Sequence, residues 1–204
     1  MSSPSVVLVD SGGTNIASVR FALERLGITA ELTADPATIE SADRVILPGV
    51  GAAGAAMRQL HTTDLVSVLR GLEQPLLGVC LGMQLLFEGS DEDGGVEALG
   101  LLPGRVEAIS AGHGVRVPHM GWNTLSLTSQ DPIIRGLGSG DRAYFVHSYA
   151  APIGAHTLAS TWHGRDYAAV VRWGNRWGCQ FHPERSAGVG ARILANFVGE
   201  AGHE

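Results

Sequence analysis

The sequence predicts an α/β fold, a doubly wound and mainly parallel sheet flanked by helices, flavodoxin-like in its core, with an antiparallel extension. Three observations carry this expectation. Short aliphatic runs alternate with segments of helical periodicity through the first part of the chain, the pattern of parallel strands joined by crossover helices. Residues 96 to 165 read instead as shorter strands and turns without helical periodicity, which suits antiparallel pairing. The chain has 204 residues, of which 45% are hydrophobic, and no low-complexity tract, which suits one domain over residues 1–204 with a sizeable core.

Val6-Val7-Leu8-Val9 reads as the first strand, ending at Asp10. The Ser11-Gly12-Gly13-Thr14 loop leads into a helix with Ile16, Val19, Leu23 and Leu26 on one face, stopped by Gly27. That loop matches neither Gly-x-Gly-x-x-Gly nor a P-loop and reads as a tight structural turn. Ile28 to Leu32 forms a second strand, Asp35-Pro36 a turn, and Arg44 to Leu47 a third strand running into Pro48-Gly49-Val50-Gly51-Ala52. A helix follows near Met57 and Leu60, and Asp64 caps a short one with Leu65, Val68, Leu69 and Leu72 inward. The stretch Gln74 to Glu88 begins as an apolar strand behind Pro75 and continues as a helix with no breaker after Gly82.

Gly89 to Gly95 is acidic, either a solvated loop or the source of a carboxylate for a substrate ammonium. Val117-Pro118-His119-Met120-Gly121-Trp122-Asn123 reads as a loop, either a covered corner or an interface. Ala143 to Tyr149 is a strand whose His147 reads as a hydrogen-bonded core residue. Ala168 to Trp173 and Arg176 to Phe181, joined by Gly174-Asn175, form a hairpin with a two-residue turn. The chain closes with a helix carrying Val189, Ile193 and Phe197 on one face and a polar tail.

Composition narrows the function classes. A formal net charge of -6 and the absence of a basic run interleaved with aromatics argue against nucleic-acid and anionic-membrane surfaces. All 14 basic residues are arginine, a whole-chain bias that lessens the meaning of any one Arg. No basic n-region or long apolar segment precedes Val6, and no apolar run approaches a membrane span, so the expectation is a cytoplasmic protein with reduced thiols. No His/Cys/Asp spacing suits zinc, and no metal or cofactor is expected.

Cys80 stands at the join of the predicted strand and helix, between Gly78 and Gly82. Glycines there permit the tight turn by which a strand exposes one nucleophile at a corner, and a helix N-terminus favours thiolate over thiol. Gly-x-Cys-x-Gly alone is equally the mark of a small buried cysteine in a core turn. The second half of the chemistry comes from His182-Pro183-Glu184. Strand alternation turns Trp177, Cys179 and Phe181 one way and Gln180 with His182 the other, which makes Cys179 a core residue. Pro183 holds His182 extended, so Glu184 returns within reach of the imidazole and sets its tautomer, leaving the other nitrogen to exchange a proton with Cys80. The Pro48 to Gly51 segment sits at the strand edge where α/β sheets bind ligands. It is either a flexible turn or, with the N–H of Leu81, the source of oxyanion donors.

Gly78-Val79-Cys80-Leu81-Gly82-Met83-Gln84 together with Phe181-His182-Pro183-Glu184 resembles the triad-type (class I) glutamine amidotransferases. Pro48 to Ala52, Val117 to Asn123 and Tyr144 to Tyr149 narrow the resemblance to the glutaminase subunits of imidazole glycerol phosphate synthase, over nearly the whole chain. The triad motif by itself is shared with other amidotransferases. The resemblance implies Cys80 as nucleophile, His182 as proton carrier and Glu184 as its orienter, with Val50, Gly51 and Leu81 at the oxyanion. It implies Gln84, Glu92, Ser148 and Tyr149 as contacts to glutamine, Glu92 to its ammonium. It further implies a separate β/α-barrel cyclase subunit that receives the ammonia, met by Pro118, His119, Met120, Trp122, Asn123 and Arg185. Arg185 departs from the lysine usual there, and a planar guanidinium is not an ammonium.

Overall fold

The computed structural model describes residues 3–12 and 16–200. Its first half alternates strand and helix: β1 (Val6–Val9), α1 (Ile16–Arg25), β2 (Ala30–Thr33), α2 (Pro36–Ser41), β3 (Arg44–Gly49), α3 (Ala53–Thr62), α4 (Leu65–Gly71), β4 (Leu76–Cys80) and α5 (Leu81–Leu85). Short strands follow: β5 (Phe87–Ser90), β6 (Val96–Glu97), β7 (Leu102–Ala108), β8 (His119–Thr124), β9 (Ser126–Leu127), β10 (Arg142–His147) and β11 (Tyr149–Ala150). The last elements are β12 (Thr157–Trp162), β13 (Asp166–Trp173), β14 (Arg176–Cys179) and α6 (Ala187–Glu200).

Eight strands form the main sheet in the order β2-β1-β3-β4-β14-β13-β12-β9. Pairing is parallel from β2 to β14 and antiparallel from β14 to β9, so β14 belongs to both halves. Two hydrophobic clusters cover the sheet's two faces, and the period-2 alternation of a strand distributes side chains between them. Val6 and Leu8 join Ile16, Val19, Leu23, Ile193 and Phe197 from α1 and α6, while Val7 and Val9 join Ile39, Met57, Leu60, Leu65 and Leu69 from α2, α3 and α4. That is the expected doubly wound arrangement. No helix among the described residues is long and apolar enough to cross a membrane.

Several local expectations change. Asp35-Pro36 is a helix start: Asp35 accepts hydrogen bonds from the Thr38 backbone N–H (2.8 Å) and hydroxyl (2.7 Å), and Pro36 takes the first helical turn, where its missing N–H costs nothing. Asp35→Ala is therefore expected to lower stability, read as a fall in the urea midpoint. Asp64 does not cap α4 by its side chain, because its backbone is left-handed (φ 56°). Leu26 lies beyond α1 and is 36% exposed. The helix after Cys80 is only five residues long, since Leu86 turns the chain so that β5 can pair with β6 and β7. Gly89 and Ser90 are accordingly strand, and Glu92 to Gly94 forms a 3-10 turn.

Of residues 96 to 165, only β9 and β12 extend the main sheet. The rest build a four-stranded sheet (β11-β7-β5-β6) and the two-stranded ribbon β10-β8. His119 to Asn123 is thus strand and not loop, with alternating exposure: His119 is buried while Met120 and Trp122 are exposed. In the Ser11 to Thr14 turn, Gly13 and Thr14 lie outside the described residues, as does the polar tail after residue 200.

Candidate active site

Parallel pairing aligns the C-terminal ends of β3, β4 and β14. Gly49 is paired with Cys80, and Cys179 with Val79, so the chain beyond β14 emerges beside the sulfur. Cys80 is held at φ 54° and ψ −111°, a conformation that costs a side-chain-bearing residue of order 1–3 kcal/mol. Close backbone packing enforces it. A Cβ on Gly82 would lie 1.8 Å from the Leu47 carbonyl oxygen, and one on Gly78 would lie 2.6 Å from the Met83 Cα. The two glycines are therefore demanded by the approach of α5 to β3 and β4, as well as by the turn itself.

His182 follows β14, and its Nδ1 meets the Glu184 Oε1 at 2.8 Å, both side chains almost fully buried. The imidazole and the Cys80 sulfur line the same cavity. Ser186 braces the segment, donating to the His182 carbonyl (2.7 Å) and accepting from the Tyr144 N–H (2.9 Å). Cys80, His182 and Glu184 are thus brought together as the sequence predicts. Cys179 is fully buried; burial pushes its thiol well above the usual range, so it is inert.

Cys80 opens into a cavity of about 460 Å³. The predicted oxyanion residues Val50, Gly51 and Leu81 line it, as do the predicted substrate residues Gln84, Glu92, Ser148 and Tyr149. Gly51 has φ +96° with open space where a Cβ would be, so its glycine answers a torsional need. Glu92 accepts a 2.7 Å hydrogen bond from the Ala53 N–H, which fixes its carboxylate against the start of α3 and the end of the Gly49–Ala52 segment. Gln84, only 5% exposed, donates from Nε2 to the Tyr149 carbonyl (2.8 Å) and to the Gln180 Oε1 (2.9 Å). Gln180 is absent from the residues singled out by sequence, although alternation already placed it on the side of His182.

Of the residues assigned to a partner surface, Pro118 and Arg185 stand at the cavity and Met120 and Trp122 are exposed on β8. The Arg185 guanidinium lies 4.3 Å over the Tyr144 ring, which meets Trp122 edge-on, so cation and aromatics form one row. His119 departs from this group. Buried against Phe145, it hydrogen-bonds His147 (3.0 Å) and Asn123 (3.0 Å), and so offers no surface.

The Tyr149 carbonyl accepts from His147 Nδ1 at 2.8 Å, which places the proton there; His147 Nε2 then accepts from His119 Nδ1, and His119 Nε2 from the Asn123 amide. This chain requires both rings neutral. Burial, reinforced for His119 by the neighbouring His147 and His163, lowers His119 to about 3, and burial lowers His147 to about 4. His182 is the opposite case. Burial pulls it down, but the hydrogen bonds to Cys80 and Glu184 and their charges outweigh this and raise it to about 10. Protonation is thus favoured at His182, where it is disfavoured at His119 and His147.

These shifts oppose one another in their linkage to stability. The neutral pair stabilises fully above the ordinary histidine value of 6.5 and loses its contribution as pH falls toward 4 and 3. The His182 contribution is complete below 6.5 and is lost as pH rises through about 10. The melting temperature is expected to peak near pH 6.5. Cys80→Ala should flatten the alkaline limb and His147→Phe the acid limb, as thermal scans from pH 4 to 10 would measure.

Residues 7–201 match the family model described as glutamine amidotransferase class-I. A protein of Xanthomonas euvesicatoria pv. vesicatoria (strain 85-10), named imidazole glycerol phosphate synthase subunit HisH, is 56% identical over 193 residues, covering 95% of this chain and 96% of that one. The protein of the same name from Xylella fastidiosa (strain Temecula1 / ATCC 700964) is 52% identical at the same coverage. Among solved structures, one described as a glutamine amidotransferase superposes with a TM-score of 0.74 at 24% identity, covering 98% of this chain and all of its own. PurLQS from Thermotoga maritima gives 0.71 at 20% identity, covering 96% and 98%. At these identities the two structures bear on the fold alone.

Proposed function

This chain belongs to the class-I glutamine amidotransferase family, and from that membership and the geometry at Cys80 we propose that it is the glutaminase subunit of an imidazole glycerol phosphate synthase, in histidine biosynthesis. The observation that carries the chemistry is the 2.8 Å hydrogen bond between His182 and Glu184, with His182 and Cys80 lining one cavity.

Cys80 Sγ attacks the side-chain carboxamide carbon of glutamine, and the C=O π electrons move onto oxygen. Backbone N–H groups of Leu81 and of the Val50–Gly51 segment receive that oxyanion. His182 gives its proton to the departing nitrogen, the C–N bond breaks, and ammonia leaves a thioester on Cys80. Neutral His182 then takes a proton from water as its oxygen attacks the thioester carbon; glutamate departs and the imidazolium–sulfur pair is restored. Glu184 holds Nδ1–H throughout, so proton exchange is confined to the nitrogen that faces sulfur. Glu92, held at Ala53, answers the substrate ammonium, while Gln84, Ser148 and Tyr149 line the wall for the rest of the head group.

The ammonia goes to a cyclase subunit with a β/α-barrel fold, which uses it to form imidazole glycerol phosphate and the aminoimidazole carboxamide nucleotide. The exposed row of Met120, Trp122 and Arg185 beside the cavity mouth supports docking of that partner here. Both thiols are free, which accords with a cytoplasmic location. Glutamate release should be low for the chain alone and rise steeply with the cyclase and its nucleotide ligand. Equal activity with and without the partner would instead assign the triad to another amidotransferase or to a γ-glutamyl hydrolase.

A further inference from the structure

The Cys80 sulfur has a hydrogen-bond donor outside the His182–Glu184 pair. Gln180, with no exposed surface, directs its Nε2 at Sγ from 3.8 Å while its Oε1 accepts from Gln84 at 2.9 Å. The direction of this bond follows from a backbone group. The Tyr149 carbonyl can only accept, so Gln84 must present its NH₂ there; its remaining N–H then meets Gln180, which must answer with oxygen and turn its own NH₂ to sulfur. Reversing the amides would set the Gln84 oxygen 2.8 Å from the Tyr149 oxygen. The Gln180 backbone is fixed as well, its N–H donating to the Ala169 carbonyl at 2.9 Å.

We propose that Gln180 is a positioning residue for the nucleophile: one buried carboxamide holds the sulfur toward His182 and, by its other end, holds Gln84 in the cavity wall, so that nucleophile and wall are set together. The inference about sulfur stands on geometry alone, and the part concerning glutamine rests on the function proposed above. A carboxamide N–H stabilises the sulfur anion without competing for the proton that His182 must move, which an acidic or basic side chain at the same place would do.

The test compares Gln180→Glu and Gln180→Met in the full-length chain. Glutamate keeps an acceptor for Gln84 but turns oxygen toward sulfur; methionine keeps the length and removes both bonds. Alkylation of Cys80 by iodoacetamide at pH 7, located by peptide mass, should slow about tenfold in both variants, the loss of one hydrogen bond to a charged group. In the complex with the cyclase and its nucleotide, KM for glutamine should stay within twofold for Gln180→Glu and rise several-fold for Gln180→Met, with kcat reduced in both. Alkylation within twofold of the unmodified chain in both variants would overturn the proposal. Should neither variant fold, the side-chain amide resonances of Gln180 in the unmutated protein decide: they shift on alkylation of Cys80 if the bond exists and stay if it does not. Slowed alkylation in a protein that hydrolyses no glutamine would keep this inference and remove the glutaminase reading.

Discussion

Cys80→Ala is expected to abolish glutamate release from glutamine, by at least about 10⁴-fold, because loss of the nucleophile leaves a water reaction aided only by the cavity and its N–H donors. The assay should use the complex with the cyclase and nucleotide, where the starting rate is highest. Loss of activity alone does not establish the elbow, and a second substitution does. Cys80 has φ 54° and ψ −111°, a region that glycine enters freely and alanine does not. Cys80→Gly should therefore be as inactive as Cys80→Ala yet more stable by about 1–2 kcal/mol, a melting temperature higher by roughly 3–6 °C. Equal stability of the two variants would mean that the corner stores no strain. Residual hydrolysis above 1% in either would place the nucleophile elsewhere.

The largest loss of stability is expected from Gly82→Ala. The added Cβ would stand 1.8 Å from the Leu47 oxygen and 2.8 Å from its carbon, both backbone atoms of a central strand, so no side chain can give way. Separating α5 from β3 opens the sheet at its most buried place. We expect a cost of about 4 kcal/mol or more, a fall in melting temperature of roughly 10 °C, and loss of activity because Leu81 and Cys80 move with the helix. Gly51→Ala is the contrast. It meets nothing within 4 Å and carries only the cost of φ +96°, so it should lower stability by about 1–2 kcal/mol. A Gly82→Ala protein that melts like Gly51→Ala would show that the elbow is loosely packed.

The parallel half of the fold was legible because strands buried on both faces need aliphatic runs such as Val6–Val9, and these stand out between polar turns. Boundaries were less so. Asp35-Pro36 carries the chemistry of a turn and of a helix start alike, and the outcome depends on Ile39 finding a core to enter. Leu85-Leu86-Phe87 suits a helix and a strand equally; pairing of β5 with β7 chose the strand from Phe87 onward. In Val117 to Asn123, Pro118 and Gly121 obscured a period-2 alternation that the partner strand β10 makes plain. The pairing of His182 with Glu184 was readable because His182, Pro183 and Glu184 form one local unit whose geometry two dihedral constraints define. Gln180 was not singled out because its role lies in contacts with Cys80 and Gln84, set by the sheet.

The seam between β4 and β14 also determines when the active centre can come into being. It joins residues 100 positions apart, and Cys80 lies on one side of it with His182 on the other. Closing so long a loop costs entropy before any contact across it is gained, so this pairing belongs to the late, slow part of folding. Helical signal can return while the two halves of the centre are still apart. During refolding, reactivity at Cys80 should therefore lag behind circular dichroism, and on the ribosome no glutaminase can exist until the segment through Glu184 has emerged and joined the seam.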